Sequence, residues 1–170
     1  VRPSVLVIPG GGYEMTSDRE AEPIAMQFLA AGFTAFVLRY SVKPSVFPVA
    51  LLEAADAMKM IREHAAEWHV DPEAIAVIGF SAGGHLAANL ATSTSDDVLE
   101  AHGYDPDAVR PNGLMLAYPV ITSGTLAHRG SFDSLLGERR NDPEALESVS
   151  IERHIDTKTP PVFVWHTVPD

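Results

Sequence analysis

The 170-residue sequence is 46% hydrophobic with a formal net charge of -11, enough apolar material for one domain with a real core. A balance that acidic argues against nucleic acid or an anionic membrane as a partner, because phosphates are repelled, and no apolar run approaches the roughly 18 residues that span a bilayer. Cysteine is absent, which removes disulfide scaffolds, thiolate metal sites and cysteine nucleophiles together.

The chain opens at Val1, without methionine, almost directly into the apolar run 4–8, which leads into Pro9-Gly10-Gly11-Gly12-Tyr13. Ser17 and Glu20 have the spacing of a capping box ahead of a helix over 21–31. In that helix Ile24, Phe28 and Ala31 recur at helical steps and Gly32 supplies the stop. A second apolar run covers 34–38. Ala54, Met58, Ile61, Ala65 and Trp68 then form the stripe of an amphipathic helix, which Asp71-Pro72 breaks. A third run spans 74–79, an alanine- and leucine-rich helix 83–91, a fourth run 113–117 and a fifth 162–166. All five runs are short, rich in β-branched residues and nearly continuous, the pattern of strands covered on both faces of a parallel sheet. Their alternation with helices predicts right-handed crossovers and a single α/β domain, an open, mostly parallel sheet flanked by helices on both faces. Residues 122–160 differ: they are Gly-, Pro- and polar-rich, with short helices around Ser134 and Glu144. A connection of that length predicts a cap or lid. Both termini read as cut points.

The most informative segment is Ile78-Gly79-Phe80-Ser81-Ala82-Gly83-Gly84-His85-Leu86. Gly79-x-Ser81-x-Gly83 between a predicted strand and a predicted helix is a nucleophile elbow, a strained turn that lifts a serine hydroxyl clear of the sheet. Side chains at the flanking glycines would collide with the neighbouring strand and helix. The triple glycine after the first strand frees backbone N–H groups to face a ligand. Acyl transfer needs such donors aimed at the developing oxyanion, and the assignment is Gly11, Gly12 and Ala82. Alone, the glycine run reads equally well as a plain turn; beside an elbow it reads as an oxyanion loop.

Pro-Gly-Gly-Gly-Tyr, Leu38-Arg39-Tyr40-Ser41, Asp71-Pro72, the elbow with its Gly84-His85-Leu86-Ala87 extension, and Trp165-His166-Thr167 together resemble the small α/β-hydrolase serine esterases related to acetyl esterases and acetylxylan esterases. The resemblance runs through nearly the whole chain. It implies a serine hydrolase that cleaves short-chain carboxylic esters, acetyl esters on carbohydrate in particular, through an acyl-enzyme. It also implies that the first strand lies between the second and the third, so that the glycine loop and Ser81 meet at a switch point at the carboxyl ends of the strands. Asp170 falls where the family has the acid of its triad, although Pro169 stands where the family often has another acidic residue. The family order is Ser, Asp, His, so the base is expected beyond Asp170.

The seven histidines present do not fill that role. His85 rides on the helix behind the elbow as packing, His64 and His69 lie on a polar helix face, His102, His128 and His154 are surface residues, and His166 ends a core strand. A protein ending at Asp170 is expected to hydrolyse activated esters feebly, since serine without its base is a poor nucleophile. Tyr13, Tyr40 and Tyr118 are candidate rims of the substrate pocket. No metal or other cofactor is expected, the substrate is a small-molecule ester, self-association is left open and the assigned compartment is cytoplasmic. Amidases and peptidases use the same apparatus, and a non-catalytic hydrolase-like binding protein is the alternative from another class. A nucleotide-binding domain fits poorly, because serine replaces a fingerprint glycine and there is no Gly-Lys-Ser/Thr loop.

Overall fold

The computed structural model of the protein describes residues 1–167, and every strand pairing in it is parallel. In chain order the elements are β1 (Arg2–Ile8), α1 (Glu22–Ala30), β2 (Thr34–Val37), α2 (Val49–Glu63), β3 (Val70–Phe80), α3 (Ala82–Ala91), α4 (Asp96–Ala101), α5 (Pro106–Val109), β4 (Gly113–Ala117), α6 (Arg129–Leu136), α7 (Pro143–Ser148) and β5 (Val162–Trp165). The sheet order is β2-β1-β3-β4-β5. The chain therefore steps outward from β1 to β2, then back across β1 to β3. That reversal opens a crevice at the carboxyl ends of β1 and β3.

β1 shows why the strands are apolar throughout. Leu6 and Ile8 belong to the large core cluster that includes α2 and α3 residues, while Val5 and Val7 pack with Ala25 of α1 on the other side. Alternate residues over 5–8 thus serve two cores, and both parities there are apolar, Ser4 being the buried polar residue immediately before that stretch.

Three local departures from the sequence expectations have clear causes. The capping box does not form: Ser17 makes no side-chain cap, and Glu20 closes a separate 3-10 turn, Asp18–Glu20. Pro23 near the start of α1 sets the helix origin at Glu22 instead. The stripe through Ala65 and Trp68 outlasts its helix. α2 ends at Glu63, and residues 64–69 continue in turns until His69, at φ 55°, redirects the chain into β3. β3 also begins before the expected break, because the ladder bulges around it. Arg2 pairs with Val70 but Ser4 with Ile75. Pro72 has no N–H for a ladder bond, and the Asp71 carboxylate accepts from the Glu73 N–H at 3.0 Å within the bulge.

Between β4 and β5 the long excursion is joined to the main core, where Phe132, Leu135, Leu136, Val149 and Ile151 are buried. Its outer part stays open, with Leu126 90% exposed. Among the described residues no helix is long and apolar enough to cross a membrane.

Candidate active site

Ser81 occupies the single residue between β3 and α3 and adopts φ 50°, ψ -118°. That conformation is costly for a residue with a side chain and persists only where the surroundings over-determine it. Here they do. The Ser81 N–H donates to the Ala117 carbonyl at 3.1 Å, and the Ser81 carbonyl accepts from the His85 and Val120 N–H groups at 3.1 Å each. A Cβ on Gly79 would meet the Gly83 carbonyl oxygen at 2.3 Å, and one on Gly83 would meet the Ile8 and Pro9 oxygens at 2.3 Å. β3, α3 and the end of β1 therefore approach closer than any side chain permits.

The glycine loop follows β1 directly and lies against the serine: a Cβ on Gly10 would fall 3.0 Å from Ser81 Cβ. Gly11 and Gly12 have φ values of 135° and 65°, which glycine tolerates. The polar groups around them are mostly occupied. The Pro9 carbonyl accepts from the Tyr40 hydroxyl at 2.8 Å, the Gly10 N–H donates to Glu20 at 2.8 Å, and the Gly10 and Gly11 carbonyls accept from Ser17 and Met15. The N–H groups of Gly11, Gly12 and Ala82 have no acceptor among the described residues. Ala82 is also the first residue of α3, where backbone N–H groups lack intrahelical partners and the helix end carries partial positive charge.

Tyr13 and Tyr40 were expected at the pocket rim; both are instead core residues, each 3% exposed. With φ at 58°, Tyr13 turns its ring inward, where its hydroxyl donates to His85 Nδ1 at 2.8 Å. His85 Nε2 lies 2.7 Å from the Val149 carbonyl oxygen. A carbonyl only accepts, so Nε2 carries the proton and Nδ1 is the free acceptor. Burial of His85 disfavours its cation and lowers its pKa to about 4. Burial likewise raises the pKa values of Tyr13 and Tyr40, with each phenol kept as a hydrogen-bond donor.

Tyr118, the third rim candidate, does line the cleft at Ser81, a space of about 570 Å³ shared with Ile121, Leu126, His128 and His166. Its pKa is pushed up to about 12, first by desolvation and then by its hydrogen bond to Glu20. His128, expected merely at the surface, stands on this wall with Nδ1 2.8 Å from Ser131 Oγ. A smaller charged hollow of about 470 Å³, bounded by Arg62, Glu73 and Asp107, lies away from Ser81 near the amino ends of β3 and β4. Asp170 lies outside the described residues.

A parallel sheet that reverses direction beside a strained serine, with a fastened glycine loop against that serine, defines an α/β hydrolase. The BD-FAE family model matches residues 1–170, and the chain belongs to that family. Endo-1,4-beta-xylanase B of Butyrivibrio fibrisolvens is 37% identical over 173 residues, 99% of this chain but 27% of that protein. Acetylxylan esterase of Xylanibacter ruminicola is 28% identical over 165 residues, 95% of this chain and 32% of its own length. The crystal structure of an acetyl ester-xyloside bifunctional hydrolase from Caldicellulosiruptor lactoaceticus matches with a TM-score of 0.88 at 39% identity, covering 99% of this chain and 62% of that one. This chain thus spans under two-thirds of that solved structure and about a third or less of the two curated relatives.

Proposed function

We propose that this chain carries the nucleophile and oxyanion donors of a serine esterase acting on short-chain carboxylic esters, acetyl esters of carbohydrate in particular. The observation that carries the proposal is Ser81 itself, held at positive φ against a glycine loop whose next N–H groups have no acceptor among the described residues. Ser81 Oγ attacks the ester carbonyl while a base takes its proton. The carbonyl oxygen becomes an oxyanion facing the N–H groups of Gly11, Gly12 and Ala82, each worth about 3 kcal/mol of barrier. Collapse expels the alcohol, which receives the proton, and leaves an acyl-serine. Water then attacks the acyl-serine to release the acid.

The base is assigned to a histidine outside these 170 residues, oriented by Asp170, since the family order places it after the acid. His85 cannot serve, because both its ring nitrogens are committed in the core. The acyl group and sugar would occupy the cleft between Tyr118, Leu126 and His128, whose volume is in the ordinary range for small-molecule sites. The names borne by two of the relatives, an acetylxylan esterase and an acetyl ester-xyloside hydrolase, support the acetyl assignment.

The full-length protein tests this reading. A fluorophosphonate probe should label Ser81, and p-nitrophenyl acetate should turn over faster than the octanoate. An unlabelled Ser81 would remove the esterase, and equal or faster octanoate turnover would remove the short-chain preference.

A further inference from the structure

The geometry points to Glu20 as a positioning residue, one carboxylate that holds the glycine loop and the opposite wall of the cleft in register around Ser81. The inference rests on the esterase reading above.

Glu20 Oε2 accepts from the Gly10 N–H at 2.8 Å, and Oε1 accepts from the Tyr118 hydroxyl at 2.9 Å. Gly10 follows β1 and Tyr118 follows β4, the two strands that flank β3 and Ser81. The carboxylate therefore bridges the exits on either side of the nucleophile. It lies close to it: a Cβ on Gly10 would meet Glu20 Oε2 at 2.8 Å and Ser81 Cβ at 3.0 Å.

Both bonded groups need a restraint. A three-glycine loop has little conformational preference of its own, and its donors stabilise an oxyanion only when fixed beforehand. Tyr118 sits at φ 38°, unfavourable for a residue with a side chain. Hydrogen bonds to an ionised carboxylate are the strong kind, and each oxygen of Glu20 takes one of them. The 3-10 turn bearing Glu20 is itself held: Arg39 bonds Asp18 at 2.8 Å, Glu22 at 2.5 Å and the Thr16 carbonyl at 3.3 Å. The Ser17 N–H closes on the Gly10 carbonyl at 2.9 Å. Glu20 thus acts through Gly10 and Tyr118 without contributing a proton or a nucleophile.

The test uses the full-length protein with p-nitrophenyl acetate, a fluorophosphonate label at Ser81 and amide exchange at Gly10. Glu20→Ala should lower kcat about 30-fold with KM moved less than about three-fold, the split expected when donors are misaligned only for the transition state. Glu20→Gln keeps an acceptor for Gly10 and a donor for Tyr118 Oη, so it should restore kcat to within about five-fold of the parent. Gly10 amide protection should be lost in the alanine variant and kept in the glutamine variant. Tyr118→Phe should cost less, and adding it to Glu20→Ala should cost little more, because the two share one network. The inference is overturned if Glu20→Ala labels and turns over as the parent does, or if glutamine is as damaging as alanine while Gly10 stays protected. A parent protein whose Ser81 takes no label overturns the esterase reading, and this inference with it. A parent that labels normally beside an alanine variant that labels equally fast overturns this inference alone.

Discussion

On one side of Ser81, the chain leaving β1 is tied down by several side chains, its Gly11 and Gly12 N–H groups excepted; on the other, the chain beyond Ser123 turns exposed side chains to the cleft. The first wall is held by Tyr40 on Pro9, by Glu20 and Ser17 on Gly10, and by Tyr13 reaching through His85 to the Val149 carbonyl. The second has Leu126 at 90% exposure. Among the described residues, the His128 ring is braced by Ser131, one turn ahead of it. On the proposed esterase reading, groups that meet a developing charge lose their value if they have to reorganise, whereas a wall that receives variable acyl and alcohol groups needs surface more than rigidity. Tyr118 belongs to the second wall but is fastened to the first through Glu20.

The contrast can be broken by mutation. Gly83→Ala should be the most damaging change, since its methyl would fall 2.3 Å from two backbone oxygens of the fixed wall. A loss of about 4 kcal/mol or more is expected, the range of severe core overpacking, read as failure to accumulate folded protein. A stable, active Gly83→Ala protein would show that the close approach is not required.

Acid should act next, through His85. Its pKa is about 4 when folded against about 6.5 unfolded. Between those values the unfolded chain binds a proton that the folded one refuses, so stability is full above pH 6.5 and falls as pH drops toward 4. The loss should reach roughly 3 kcal/mol, measured as a falling urea midpoint. Tyr13 and Val149 contact the ring and Glu152 is the nearby charge favouring protonation. An NMR titration of His85 near 6.5 would contradict the prediction.

Tyr13→Phe keeps the ring and removes the donor to His85, leaving a buried nitrogen without a partner at a cost of about 1–3 kcal/mol. Denaturant unfolding should show it, and kcat should fall along with stability because the same hydroxyl ties the loop to His85. The smallest effect belongs to the open wall. His128→Ala should change KM by about three-fold or less with kcat and melting temperature unaltered, as for a solvent-facing contact. A collapse of kcat in that variant would mean that both walls are equally committed to the chemistry.

The sequence and the structure divide this protein at a definite level. Residues whose role depends on neighbours one to four positions away were legible: Gly79, Ser81 and Gly83 name their turn, the apolar runs name parallel strands, covered on both faces at β1 though exposed along β5, and the glycines after Ile8 name a loop without side chains. A five-strand parallel sheet follows from such local patterns, because hydrophobic period and backbone permissiveness are properties of short segments. The direction of a side chain relative to a distant one is not. Tyr13, Tyr40 and Tyr118 look alike as residues, yet two became core struts and one a cleft wall, decided by a left-handed φ at Tyr13 and by what each phenol met 31 to 98 residues away. Glu20 carried a plausible local explanation as a cap and found a stronger bond ten residues back, at Gly10. Only when β1 lay down between β2 and β3 did those partners come within hydrogen-bonding distance, so the tertiary structure alone could decide them.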